Sequence, residues 1–156
     1  MYSRAVNAFS ATRPGSWLVR HVAARLDPTL HRWSGGRVTV TGVPTLPMLV
    51  LTTTGRRSGA RRDVQLGHLA EPGGTWLVVA SAMGQDRHPD WLLNLRADPR
   101  ARVLLTGGRA VDVVATELGA DEVAGRWAEI CGTIPQMSTY ARRTTRQIPV
   151  VRLTPR

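Results

Sequence analysis

Seven consecutive residues, Arg56-Arg57-Ser58-Gly59-Ala60-Arg61-Arg62, hold four arginines, a serine and a glycine. They follow Thr52-Thr53-Thr54-Gly55, so an apolar run ends in hydroxyls and passes through glycine into dense positive charge. Glycine lets a backbone approach a ligand closely and turn its N–H groups inward. Arginine adds charge-assisted, bidentate hydrogen bonds to phosphate or carboxylate oxygens. The segment has the chemistry of an anion cradle between two strands. It is not a Walker loop, because GxxxxGK[ST] is absent. The same residues would also make a solvated basic hairpin tip, and composition leaves both readings open.

A second segment runs from Ala80-Ser81-Ala82-Met83-Gly84 to His88-Pro89-Asp90-Trp91 and on to Asn94-Leu95-Arg96. Small residues end a strand, and a loop leads into a helix that opens at Pro89, a residue suited to a helix's first turn. Helix N-termini favour anions. Trp91 offers a flat apolar wall, and Asn94 lies nearly one turn later on a similar face. The alternative is that Trp91, Leu92 and Leu95 only pack the helix down.

Other chemistries find little support. His21, His31, His68 and His88 have no metal-ligand spacing, and the lone Cys131 can build neither an internal disulfide nor a cysteine zinc site. No metal site is expected. Ser58 and Ser81 lack a nucleophile-elbow context, and no GxGxxG follows a strand, so a dinucleotide in a Rossmann pocket is not expected.

The elements that would position these segments are mostly strands. Residues 47–54, 61–70, 75–81, 102–106, 109–117 and 148–153 read as strands from their β-branched, apolar texture. Glu71-Pro72-Gly73-Gly74 and Gly107-Gly108 are turn signals. Residues 16–26, 89–96 and 119–131 carry helical spacing, with Gly132 placed to end the last. Residues 1–15 read as a flexible lead-in and 16–156 as a single domain. Short antiparallel strands with flanking helices predict a mainly β, closed or partly closed barrel.

Hydrophobic residues make up 42% of the 156, enough for one core without disulfide staples. The net charge is +10 and every basic residue is arginine, which favours anionic partners. Nucleic acid is not the expected partner, since only 5% of residues are aromatic and no binding motif is present. No apolar run reaches the roughly 18 residues needed to span a bilayer, and no signal sequence is evident. The expected location is cytoplasmic. Residues 16–26 could either pack on the body or make peripheral membrane contact.

TTTGRRSGARR, followed by VVAS and HPDWLLNLRADPR, resembles the deazaflavin-dependent nitroreductase family of actinobacteria. TTRQIPVVRLTP resembles that family's closing strand, and the similarity covers roughly residues 40–154. The resemblance implies a split β-barrel related to flavin-mononucleotide-binding oxidases. It also implies coenzyme F420, a deazaflavin with an anionic phosphate and polyglutamate arm, as cofactor in preference to flavin mononucleotide. Carried over, Arg56, Arg57, Ser58, Gly59 and Arg62 would hold the arm. Ala80, Ser81, Ala82, Met83 and Gly84 would run beside the ring, and Pro89, Trp91 and Asn94 would close the site from the helix.

The implied function is hydride transfer from the reduced coenzyme to a small electron-poor substrate: an activated alkene, quinone or nitro compound. Tyr140, Ser81 or water would supply a proton, and Met137 and Tyr140 would line the substrate. The chain departs from the nitroreductase pattern where Ser81-Ala82-Met83-Gly84 replaces S-K-G-G, and where a tyrosine-rich stretch keeps only Tyr140. Conjugated acceptors are therefore expected to outperform bulky nitroimidazoles. The alternative is a non-catalytic coenzyme- or lipid-binding protein of the same fold. A homodimer is expected by analogy with split-barrel relatives.

Overall fold

The computed structural model describes residues 24–36 and 46–156. Six antiparallel strands close into a barrel in the order β1-β2-β3-β6-β5-β4. They are β1 (Met48–Thr54), β2 (Arg61–Glu71), β3 (Thr75–Val79), β4 (Arg100–Leu105), β5 (Ala110–Glu117) and β6 (Val150–Pro155). The helices are α1 (Ala24–Ser34), α2 (Asp90–Ala97), α3 (Ala120–Thr133) and α4 (Gln136–Ala141). The mainly β barrel with flanking helices expected from the sequence is what forms.

The period-2 pattern of the strands sorts side chains between two cores. Trp76 and Val78 of β3 face the barrel interior with Leu49, Leu51, Val103, Val113, Val151 and Leu153. Leu77 and Val79 face outward, onto Val123 and Ile130 of α3 and Met137 of α4. β3 is thus covered on both faces, which explains why TWLVV reads as a continuous apolar run. Helix α2 supplies Trp91, Leu92 and Leu95 to the interior cluster. It acts as a plug rather than an outer layer.

Antiparallel pairing around a closed ring fixes which loops share an end. β1, β3 and β5 run in one direction, and β2, β4 and β6 in the other. The basic loop after β1, the loop after β3 and the chain from β5 to β6 therefore emerge at the same end of the barrel. Both segments singled out for chemistry lie there, beside α2.

Several elements differ from the sequence expectation. The lead-in at 1–15 and residues 16–23 of the first expected helix lie outside the described residues. The first helix, expected to end at residue 26, continues as α1 to Ser34 despite Pro28. Tertiary contacts override the local signal: His31 is fully buried with its Nδ1 3.1 Å from Gln65 Nε2, and Arg32 pairs with Asp63. Gly132 does not end α3, which closes at Thr133 with the Ile134 N–H bonded to the Ile130 carbonyl. Helix α4 was not anticipated. The strand of 75–81 stops at Val79, so Ala80 and Ser81 already belong to the loop.

A cluster of ions fastens α3 to the barrel. The Glu71 carboxylate accepts from Arg152 at 2.8 and 3.0 Å, from Arg126, and from Thr75 Oγ1 at 3.0 Å. Arg152 also reaches Glu122 at 2.7 Å, and Arg126 reaches Glu129. The Arg152 guanidinium, ahead of the other partners, holds the Glu71 carboxyl down to about 2 against an ordinary 4.5. A pKa depressed by folding stabilises fully above the unfolded value and is lost as pH falls through the folded one. Glu71→Gln should lower stability by about 1.5–3 kcal/mol at neutral pH. The deficit should shrink between pH 4.5 and 2, as urea unfolding of both proteins across that window will measure.

Candidate functional site

The first site element is the basic loop. Gly55 N–H donates to the Ala60 carbonyl at 2.8 Å, and Gly59 N–H donates to the Gly55 carbonyl at 2.7 Å. This is a tight crossing, and it needs glycine at both positions. A Cβ on Gly55 would lie 2.9 Å from Ser58 Oγ and 3.1 Å from the Ala60 carbonyl, and Gly59 has φ +67°. The turn pushes Arg57, Ser58, Gly59, Arg61 and Arg62 into solvent. Ser58 Oγ accepts from the Ala60 N–H at 3.3 Å and is 3.5 Å from Arg62 Nη2. Among the described residues no carboxylate pairs with Arg57, Arg61 or Arg62. That leaves concentrated, uncompensated charge on a glycine-shaped backbone.

Arg56 is placed differently. Its backbone N–H and Nη1 donate to Asn94 Oδ1 at 3.1 and 3.2 Å, and Nη2 donates to Asp90 Oδ1 at 3.1 Å. Asn94 Nδ2 donates in turn to Thr53 Oγ1 at 3.1 Å. Asn94 is only 4% exposed, so its amide is a buried joint between β1, the basic loop and α2. Trp91 is 8% exposed and belongs to the barrel interior. The packing role weighed for it is the role its burial shows. Pro89 precedes α2 in extended conformation and accepts from the Leu92 N–H.

The second element is the loop after β3. Ala80 is fully buried and Ser81 nearly so. Ala82, Met83 and Gly84 then adopt φ of 46°, 57° and 77°, three successive residues in the left-handed region. Gly84 lies so close to α4 that a Cβ would meet the Tyr140 carbonyl and Arg143 Cβ at 2.7 Å. The loop and Tyr140 are thus neighbours. Burial pushes the Tyr140 hydroxyl above its ordinary pKa. Arg143 sits 5.6 Å from the ring centroid. Met137 packs in the cluster beneath α3.

The structure brings the two elements to one barrel end and joins each to a helix. Sequence reasoning missed three contributors: Thr53 as partner of the Asn94 amide, Asp90 as partner of Arg56, and Arg146. The last donates to the carbonyls of Ala80, Ser81 and Gln85. No spacing rule could have found it, because its acceptors are backbone atoms more than sixty residues away.

Replacing Asn94 by leucine would strand the Arg56 N–H and leave the nearly buried Thr53 hydroxyl with only its 3.4 Å bond to the Arg62 carbonyl. Unsatisfied buried groups cost about 1–3 kcal/mol each. Asn94→Leu should lower the thermal midpoint and increase protease cleavage within 55–62. A midpoint equal to the parent's would show that the joint carries no strength.

A family model described as F420H(2)-dependent quinone reductase matches residues 23–155. An F420H(2)-dependent quinone reductase of Mycobacterium tuberculosis is 34% identical over 148 residues, covering 90% of this chain and 97% of the relative. A solved F420-H2 dependent reductase shares 34% identity with a TM-score of 0.60, over 72% of this chain and 99% of its own. A second solved relative, described as a domain-swapped dimer, shares 31% identity with a TM-score of 0.61 over 90% and 98%. A heme storage protein from Vibrio cholerae, at 17% identity and a TM-score of 0.51, shares the fold alone. With a basic cradle and a left-handed loop at one end of its barrel, and a match along nearly all of its described length, this chain belongs to the F420H(2)-dependent quinone reductase family.

Proposed function

We propose that this protein reduces a quinone-type acceptor with hydride from reduced coenzyme F420, and that the end of the barrel carrying the basic loop is where this happens. The observation that carries the placement is the charge of Arg57, Arg61 and Arg62, paired with no carboxylate among the described residues, on a backbone shaped by Gly55 and Gly59. A long anionic arm fits that cradle. The deazaflavin, when bound, supplies the hydride.

The chain's own residues supply position and protons. Arg57, Arg62, Ser58 Oγ and the open backbone at Gly59 hold the arm. Arg56, tied to Asn94 and Asp90, fixes the loop's shape beneath them. The Ala80–Gly84 backbone lies beside the ring. Trp91 and Leu92 keep water out from the barrel side. Reduction of a quinone carbonyl needs a proton as well as a hydride. Tyr140, whose backbone carbonyl adjoins this loop at Gly84, is one candidate to hold that proton at its hydroxyl, and Ser81 Oγ is the other. Flat quinones need little polar anchoring. Nitro compounds are the weaker acceptors in this reading, since a single tyrosine stands in 134–140. The relative described as a domain-swapped dimer supports a homodimeric assembly here, which sedimentation will test.

Arg62→Ala should weaken binding of oxidised coenzyme F420 by roughly tenfold or more, as expected for one lost charge-assisted bond. The thermal midpoint should stay near the parent's, because the side chain is exposed. Unchanged affinity in Arg57→Ala and Arg62→Ala alike would make the loop a solvated tip.

Reduced coenzyme offered with a panel of acceptors should be consumed fastest by small quinones and activated alkenes, and more slowly by bulky nitroimidazoles. Nitroimidazoles at the head of the panel would overturn the reading of the single tyrosine.

A further inference from the structure

The loop after β3 is held in a shape that its own side chains disfavour. The left-handed region is strained for a non-glycine residue, and Ala82 and Met83 are both there. Such residues persist only where the surroundings over-determine them. Gly84 against α4 is one restraint. The other is Arg146, from the segment that enters β6.

Arg146 Nε donates to the Gln85 carbonyl at 2.7 Å, and Nη2 donates to the Ala80 and Ser81 carbonyls at 3.1 and 2.8 Å. Nη1 donates to the Gln147 carbonyl at 3.3 Å and lies 3.4 Å from His88 Nδ1. His88 is kept neutral there, its pKa lowered by burial and then by Arg96 and Arg146. Every acceptor is thus uncharged. Asp86 acts on the guanidinium only at a distance and is itself bonded by Thr144 Oγ1 at 2.8 Å. A half-buried cation is committed to holding backbone.

We propose that Arg146 is a positioning residue for the coenzyme ring: it fixes the Ala80–Gln85 backbone and polarises the peptide N–H groups of Ser81 and Ala82. This rests on the placement of the ring beside that loop. In a trans peptide the N–H points opposite to the C=O. With the Ala80 and Ser81 carbonyls turned to Arg146, the N–H groups of Ser81 and Ala82 point away from it. A carbonyl that accepts from a cation makes its own N–H a stronger donor. Two oriented donors with a cation behind them favour an electron-rich edge or a developing negative charge on a bound ring. Arg146 does this without touching the ligand. Lysine could not replace it, because one ammonium cannot span three carbonyls in a fixed fork.

The test uses the intact protein and oxidised coenzyme F420 as the probe. Arg146→Lys and Arg146→Met are compared with the parent for dissociation constant, for the absorption spectrum of bound coenzyme, and for kcat and KM with one small quinone. Both variants should bind roughly tenfold more weakly. Their bound spectra should shift toward that of free coenzyme, and KM for the coenzyme should rise more than kcat falls.

A purely structural role is separated by adding Met83→Gly, which removes one left-handed penalty. The double variant Arg146→Met/Met83→Gly should recover thermal stability while affinity and spectrum stay impaired. Recovery of all three would overturn the proposal, and so would Arg146 variants that match the parent in affinity and spectrum. If the parent itself does not bind the coenzyme, the placement of the ring fails first, and that result is read on the unmutated protein.

Discussion

The amide of Asn94 is the joint on which the functional end of the molecule depends. One side chain satisfies the backbone of the basic loop, the guanidinium of Arg56 and the hydroxyl of Thr53, while its helix fills the barrel mouth with Trp91, Leu92 and Leu95. A buried polar group tolerates no partial satisfaction, because an orphaned donor in low dielectric costs more than the bond contributes. The helix cannot slide without stranding the loop, and the loop cannot reshape without stranding the helix. The shape of the basic loop therefore rests on a neutral amide.

Around this joint the chain separates charge by purpose. Arginines that hold structure have partners: Arg56 with Asp90, Arg96 with Glu117, Arg126 and Arg152 with Glu71. Arg57, Arg61 and Arg62 have no such carboxylate among the described residues. Arg146 stands between these groups, cationic yet engaged only with neutral acceptors. With arginine as the sole basic residue of the chain, residue type alone does not tell these roles apart. Partners do.

The strands were legible because their apolar, β-branched runs match the two-sided burial of a covered barrel. The run at 47–54 is found as Met48–Thr54, and the hairpin at Gly107-Gly108 forms where two glycines adopt φ of 90° and 84°. The exposed basic loop was legible in composition, since glycine and arginine density is a local property. What escaped was non-local. Helix α1 runs through Pro28 because burial of His31 and pairing of Arg32 outweigh local preference. Helix α4 is only six residues long, too short for the i, i+3, i+4 spacing of Met137, Tyr140 and Ala141 to stand out, and it is held by the cluster it packs into. The partners of Asn94 lie 38 and 41 residues away, and the loop carbonyls that Arg146 holds lie 61 to 66 away. Sequence spacing carries no trace of such contacts.

Alternation of strand direction has a consequence for the opposite end of the barrel. The Pro72-Gly73-Gly74 turn between β2 and β3 is exposed, and side chains added at either glycine would meet open space. It lies a full strand length from the basic loop and the left-handed loop. Extra chain there would add loop-closure entropy of only about 0.6 kcal/mol for each doubling of length. Provided Glu71 and Thr75 keep their bonds, this turn is the place where the protein can accept a tether, a label or a fused partner. The molecule thus has one end crowded by the basic and left-handed loops and another free to acquire new attachments.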